Sequence, residues 1–415
     1  MGAEPNRGTN GHVATSHAPE LVFDLLFVFT ITQLAGSLAN DHGWIGVSRG
    51  ILLIVLLWWT FGSYASLANA AATKTSRTLL GVGIVANFFL ALSIPQAFGQ
   101  DRIVFAAAYA AVVLAHTLLA LLERDAPTSR SRPYALAVNG IAPVLVLAGA
   151  AVGGWGLGLL WALAAVSELG LPWLVARMGS RPIERRAALT VRPDRFVQRH
   201  GVLLIILLAE AVLTIGVGLG TTLGDLAADQ LLTALIALAL AGTLYFAYFG
   251  EHDDDAAYAA LERATPRHRE LLAMLSFGYA FAVMLIGVDF AVAGLHEVIE
   301  DPSESPGLAF GSYLAAGVGV YWVGLGLFRL AFGRPFAWFR IVMGVLLSVA
   351  ALLGGVSGLI ELAGLLAGSV AILVIETVVT KRRAATGSRT GTNNDRPGPA
   401  SAPTAAGPAH DRDEA

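Results

Sequence analysis

From residue 19 to residue 380 the chain is a succession of apolar runs, most of them near twenty residues long, separated by short polar connections. A helix crossing about 30 Å of hydrocarbon needs about 20 such residues. The runs predict spans at 19–39, 44–67, 78–98, 102–122, 134–152, 155–176, 200–219, 230–249, 271–295, 308–328, 339–356 and 358–380. Those at 134–152 and 339–356 are the least distinct, because each turns tightly into the next. The expected fold is all-α, a polytopic integral membrane protein of about twelve transmembrane helices. Residues 19–383 form the helical domain. Residues 1–18 and the Ala-, Pro-, Gly- and Thr-rich segment 384–415 are expected to be disordered.

Charge orients this layout. The connections after the even-numbered spans carry eighteen Lys and Arg, whereas those after the odd-numbered spans carry only Arg49 and Arg102. The positive-inside rule then places both termini and every even connection in the cytoplasm. Composition agrees with the pattern: 55% of residues are hydrophobic and 14% charged, against about 25% charged in soluble domains. The 46 glycines suit helices that approach at backbone distance. With no cysteine, disulfides, thiolate metal sites and a cysteine nucleophile are excluded. The first 18 residues lack the basic start and cleavage site of a signal peptide, so the first run is expected to remain in the mature protein.

The two halves of the chain resemble each other. Residues 105–124 align without gaps to 310–329 with six identities, Phe105/Phe310, Ala110/Ala315, Ala111/Ala316, Val113/Val318, Leu122/Leu327 and Arg124/Arg329. Arg132-Pro133-Tyr134-Ala135 then corresponds to Arg334-Pro335-Phe336-Ala337. Both matched regions lie six spans apart, which predicts two six-helix halves in parallel repeat. Transporters built this way place their sites between the halves. Shared helix composition is the competing explanation.

Against this apolar background a few polar residues stand out. The first run carries Glu20 and Asp24, four apart and therefore on one helical face. Gln33 lies on roughly the opposite face, so this helix is expected to be surrounded by protein. An ionisable group in a span costs at least about 2.5–3.5 kcal/mol on insertion scales and by default marks a functional site. Glu210 lies about 16 Å into the seventh span, near the midplane, where it suits binding and release of a proton or small cation. His116, Glu168 and Asp289 are further candidates, and together these groups would line a polar route. Static interhelical hydrogen bonds, each worth about 0.6 kcal/mol, would account for them equally simply. Arg199 and His200 open the seventh span, where Arg199 suits either an anionic group or interfacial anchoring. The run Glu251-His252-Asp253-Asp254-Asp255 reads first as an acidic helix start that complements the macrodipole, since it lacks the ligand spacing of a calcium loop.

Several of these residues carry a family resemblance. Glu20-Leu21-Val22-Phe23-Asp24-Leu25-Leu26-Phe27-Val28-Phe29 with Gln33-Leu34 resembles the opening motif of the bacterial low temperature requirement A (LtrA) membrane proteins. Arg199-His200-Gly201-Val202-Leu203 running to Ala209-Glu210, Leu244-Tyr245-Phe246, Phe277-Gly278-Tyr279-Ala280 and Val320-Tyr321-Trp322-Val323-Gly324 are similar to later motifs of that family. The resemblance runs from about Pro19 to Thr380. It implies a multi-pass bacterial inner-membrane protein and assigns no substrate. The chain departs from the family pattern at Ala209, where a Gly is usual, at Phe281, where a His is common, and at Ala247, where an acid is frequent.

Three functional readings stay open. One is a secondary transporter of an unknown solute, coupled to a proton or small cation through Asp24 and Glu210. The second is an enzyme acting on a lipid or polyprenyl substrate at the cytoplasmic face through Arg199, His200 and the acidic run. The third is a scaffold whose polar groups specify packing. The sequence offers no catalytic nucleophile, zinc motif, phosphate loop or cofactor signature. The expected partner is the lipid bilayer, and nothing points to nucleic acid.

Overall fold

The computed structural model describes residues 18–40, 43–68, 74–122, 132–178, 193–220, 227–250, 252–303, 313–350 and 356–391. All regular structure among them is helical. In chain order the helices are α1 (Ala18–Asn40), α2 (Trp44–Ala68), α3 (Lys74–Ser93), α4 (Arg102–Leu122), α5 (Arg132–Val152), α6 (Gly154–Met178), α7 (Pro193–Gly218), α8 (Ala228–Phe249), α9 (Asp253–Arg263), α10 (Pro266–Ala273), α11 (Phe281–Glu300), α12 (Tyr313–Ala331), α13 (Ala337–Ala350) and α14 (Gly358–Gly391). A short 3-10 turn, Ile94–Gln96, prolongs α3, and a π-helical segment, Met274–Ala280, joins α10 to α11.

Among the described residues, nine helices are long and apolar enough to cross a membrane. Three shorter apolar helices accompany them, Leu25–Asn40, Asn139–Val152 and Ala337–Val349. Two of these three are the runs that the sequence marks least distinctly. The tight turns beside them rest on glycine. Gly153 and Gly154, at φ 71° and 55°, reverse the chain between α5 and α6, and Gly333, at φ 63°, does so after α12. Those left-handed conformations are open to glycine without a steric cost.

The chain divides into two compact units, Met1–Val370 and Ala371–Ala415. Of the second, the described residues 371–391 are helical. Within the first unit α11 is the central element, touching α1, α2, α7, α8 and α12. Its burial follows, from Phe281 through Ile299 on nearly every face.

Close packing around α11 depends on residues without side chains. A Cβ on Gly287 or Gly294 of α11 would strike the backbone of Tyr321 or Leu314 on α12. Conversely, a Cβ on Gly317 or Gly324 of α12 would strike Ala291 or Met284 on α11. Each pair is seven apart, which repeats one helical face. The other face of α12 meets α13 in the same way, through Gly319, Gly326 and the facing Gly344. Helices that touch through backbone gain dispersion contacts without side-chain ordering, which is the main source of association in lipid.

Candidate functional site

Where α1, α7 and α11 meet, two buried carboxyl groups come together. Glu210 of α7 is 5% exposed, and its Oε2 accepts a 2.8 Å hydrogen bond from the Thr32 hydroxyl of α1. Asp289 of α11 is fully buried, and neither of its oxygens has a hydrogen-bond partner among the described residues. Glu210 lies close enough to it to interact electrostatically. An orphaned buried polar group costs about 1–3 kcal/mol, and more if it is charged. An arrangement this unfavourable for structure alone is typical of a place where protons or ligands come and go.

A polar cavity of about 790 Å³ shares one residue, Thr32, with this cluster. From α1 it is lined by Thr32, Gln33, Ser37 and Asn40, and from α2 by Arg49. The turn after α3 adds Gln96, Phe98 and Gly99. Thr32 is thus at once a wall of the cavity and the hydrogen-bond donor to Glu210. Arg49 lies 5.0 Å from the Phe98 ring centre. The second arginine of this end, Arg102, donates from Nη1 to the carbonyl of Gly99 at 3.2 Å and from Nε to that of Ala150 at 3.0 Å.

An aromatic wall stands between α2, α7 and α11. The Trp58 indole donates to the carbonyl of Gly278 in the π-helical segment at 2.8 Å and stacks on Phe281 at 5.6 Å. His200 sits among Trp58, Phe196, Phe277 and Phe281, with Nδ1 2.8 Å from the Phe196 carbonyl oxygen. Phe281 therefore fills the space beside His200 with another ring. The Arg199 guanidinium lies 5.5 Å from the Phe61 ring centre. π-Helical segments are frequent at functional sites because they re-aim side chains and carbonyls within a helix.

The structure sorts the residues singled out from sequence. Glu210, Asp289 and Gln33 fall at the carboxyl pair or the cavity beside it. Glu168 stands apart, accepting a hydrogen bond from Tyr109 across α4 and α6. His116 is half-buried on α4. Glu20 and Asp24 belong to α1, but their side chains lie outside the described residues. Thr32 and Trp58 were not singled out: a hydroxyl or an indole in an apolar run carries no charge signal, and only the fold shows what it faces.

A second polar cluster was hidden in the acidic run. Asp253 opens α9, as an acidic helix start should, yet it is 1% exposed. Arg329 Nε reaches its Oδ2 at 2.7 Å, Arg340 Nη1 the same oxygen at 3.4 Å, and Arg334 Nη2 the Oδ1 at 3.3 Å. Arg340 also donates to the carbonyl of Ala247 at 2.9 Å. One carboxylate so ties α9 to α12 and α13, and Arg340 extends the tie to α8. The topological role of basic residues after a span conceals such pairing, because orientation alone already explains three arginines there. Among the described residues no group of three His, Asp or Glu is placed to hold a metal ion.

The sequence profile described as bacterial low temperature requirement A protein (LtrA) matches residues 15–379. The chain belongs to the LtrA family. It is 30% identical over 206 residues to an uncharacterised protein of Rhizobium meliloti (strain 1021), a match covering 48% of this chain. The chain spans about half the length of that curated relative, 50%. No solved structure matches it. LtrA membership, with the many long apolar helices, makes this a multi-pass membrane protein.

Proposed function

We propose that this LtrA protein is a proton-coupled secondary transporter, with Glu210 and Asp289 carrying the proton and the polar cavity admitting the solute. The observation that carries this reading is the continuity from cavity to Thr32 to Glu210. A solute entering between α1, α2 and the turn after α3 reaches a hydroxyl already bonded to a carboxyl group. Its arrival competes for that hydroxyl, and the balance of charge between Glu210 and Asp289 shifts with it. Two adjacent carboxyl groups cannot both ionise cheaply in a low-dielectric site, so they titrate as a pair.

The neighbour relations of the helices support two halves of like construction. In the first, α1 packs on α2 and α3, α3 on α4, and α4 on α5. In the second, α7 packs on α8 and α11, α11 on α12, and α12 on α13. With twelve crossings, counting α1, α5 and α13, the chain has both ends in the cytoplasm of the inner membrane. The cavity then opens outward, and the Asp253 cluster closes the opposite end. Alternating access becomes a rocking of α1–α6 against α7–α13, hinged where α1 and α2 meet α7 and α11.

The test is proton flux in vesicles holding the purified protein, with a pH dye inside and gradients of carboxylates, sugar phosphates, amino acids and polyamines applied in pools. At least one pool is expected to drive proton movement that Glu210→Gln and Asp289→Asn each abolish without unfolding the protein. Absence of flux with every pool, or flux that survives both substitutions, overturns the reading.

A further inference from the structure

A threonine inside a helix commonly bonds its hydroxyl to the carbonyl four residues back. Thr30, Thr117, Thr233, Thr243 and Thr377 do so at 2.7–2.8 Å, the ordinary length for a hydroxyl donor. Thr32 differs from these five. Its hydroxyl oxygen is 3.2 Å from the Val28 carbonyl oxygen and 2.8 Å from Glu210 Oε2. The hydroxyl is drawn off its own helix and shared with α7.

A hydroxyl has one hydrogen and two lone pairs. It cannot donate fully to Val28 and to Glu210 at once, so the protonation of Glu210 decides where the hydrogen goes. Beside an ionised Glu210 the hydrogen points to the carboxylate. Once Oε2 of Glu210 carries a proton, that O–H donates to Oγ1 of Thr32, and the threonine hydrogen turns away from α7. No bond within Thr32 forms or breaks; the hydroxyl rotates about its Cβ–Oγ bond.

Resting on the transporter reading, we propose that Thr32 is the positioning residue that couples solute to proton, its hydroxyl donating to ionised Glu210 and accepting from protonated Glu210. In the second state the released hydrogen goes to the Val28 carbonyl or to an acceptor group on a solute in the cavity that Thr32 lines. A solute bearing such an acceptor (a carbonyl, carboxylate or hydroxyl oxygen) is therefore held better when Glu210 has its proton. Linkage is reciprocal, so that solute favours the proton on Glu210, and the two enter together. On the helices packed against α7, Asp289 of α11 is the titratable group that interacts with Glu210 among the described residues.

The test is infrared spectroscopy of the purified protein between acid and alkaline pH, in H₂O and D₂O. The bands of Glu210 are those lost in Glu210→Gln. Thr32→Val keeps the shape of the side chain and removes the hydroxyl, Thr32→Ala removes it without a branched replacement, and Thr32→Ser restores it. In Thr32→Val and Thr32→Ala two Glu210 bands are expected to move. The protonated-carboxyl stretch rises in wavenumber at the acid end, and the carboxylate antisymmetric stretch shifts at the alkaline end. Thr32→Ser is expected to keep both at their wild-type positions. A hydroxyl that merely braces one state moves one band alone, and that result overturns the inference. So does a pair of bands indifferent to the hydroxyl, or a Thr32→Ser that behaves as Thr32→Val. Those outcomes leave Glu210 a proton carrier and the transporter reading intact. A Glu210 that shows no titrating band overturns the transporter reading, and the inference falls with it.

Discussion

Asp253 and Asp289 are equally buried, at 1% and 0% exposure, and could hardly be more differently surrounded. Three arginines converge on Asp253, and that one carboxylate holds α9 to α12, α13 and the turn between them. Among the described residues, Asp289 has no hydrogen-bond partner, and the carboxyl group of Glu210 acts on it electrostatically. A buried charge that is fully paired is a fastener, and its removal strands the groups around it. A buried carboxyl group left without partners serves no fastening role, and its presence asks for another explanation. The contrast separates a structural carboxylate from a working one by partners rather than by depth.

Four substitutions sharpen or break that contrast. Asp253→Ala removes the carboxylate that three arginines share, two of them deeply buried, and is expected to cost about 3–5 kcal/mol, read as a large fall in melting temperature in detergent. Arg340→Gln removes hydrogen bonds to a carboxylate and to the Ala247 carbonyl, for about 1.5–3 kcal/mol by the same measurement. Asp289→Asn breaks no protein hydrogen bond and should move stability by less than about 1 kcal/mol, while proton flux in vesicles disappears. Thr32→Val loses the hydroxyl that holds Glu210, at about 0.6 kcal/mol of stability, and slows flux without abolishing it. A stable Asp253→Ala, or an Asp289→Asn that unfolds, would reverse the assignment of the two aspartates.

The apolar runs announced a multi-pass helical membrane protein, because hydrocarbon leaves so few other ways to satisfy a backbone. The opening motif announced the family. Helix packing was legible only as an abundance of glycine, since the seven-residue spacing of Gly287 with Gly294 and Gly317 with Gly324 means nothing until α11 and α12 lie side by side. The carboxyl groups were visible because charge in an apolar run is conspicuous. Their surroundings were not. The fold brings Asp289 and Thr32 to Glu210, and the side chain of Asp24 lies outside the described residues. The Asp253 cluster escaped because acids at a helix start and arginines after a span each have a sufficient local explanation. Joining α9 to α12 and α13 is a fact of tertiary structure alone.

The most direct test of the central claim is infrared difference spectroscopy of the purified protein in H₂O and D₂O, wild type beside Asp289→Asn. The account predicts a deuterium-sensitive protonated-carboxyl stretch that the substitution removes, with the helical amide bands unchanged. A wild-type spectrum without such a band, or one that keeps it undiminished in Asp289→Asn, would contradict the assignment of Asp289 as a proton carrier.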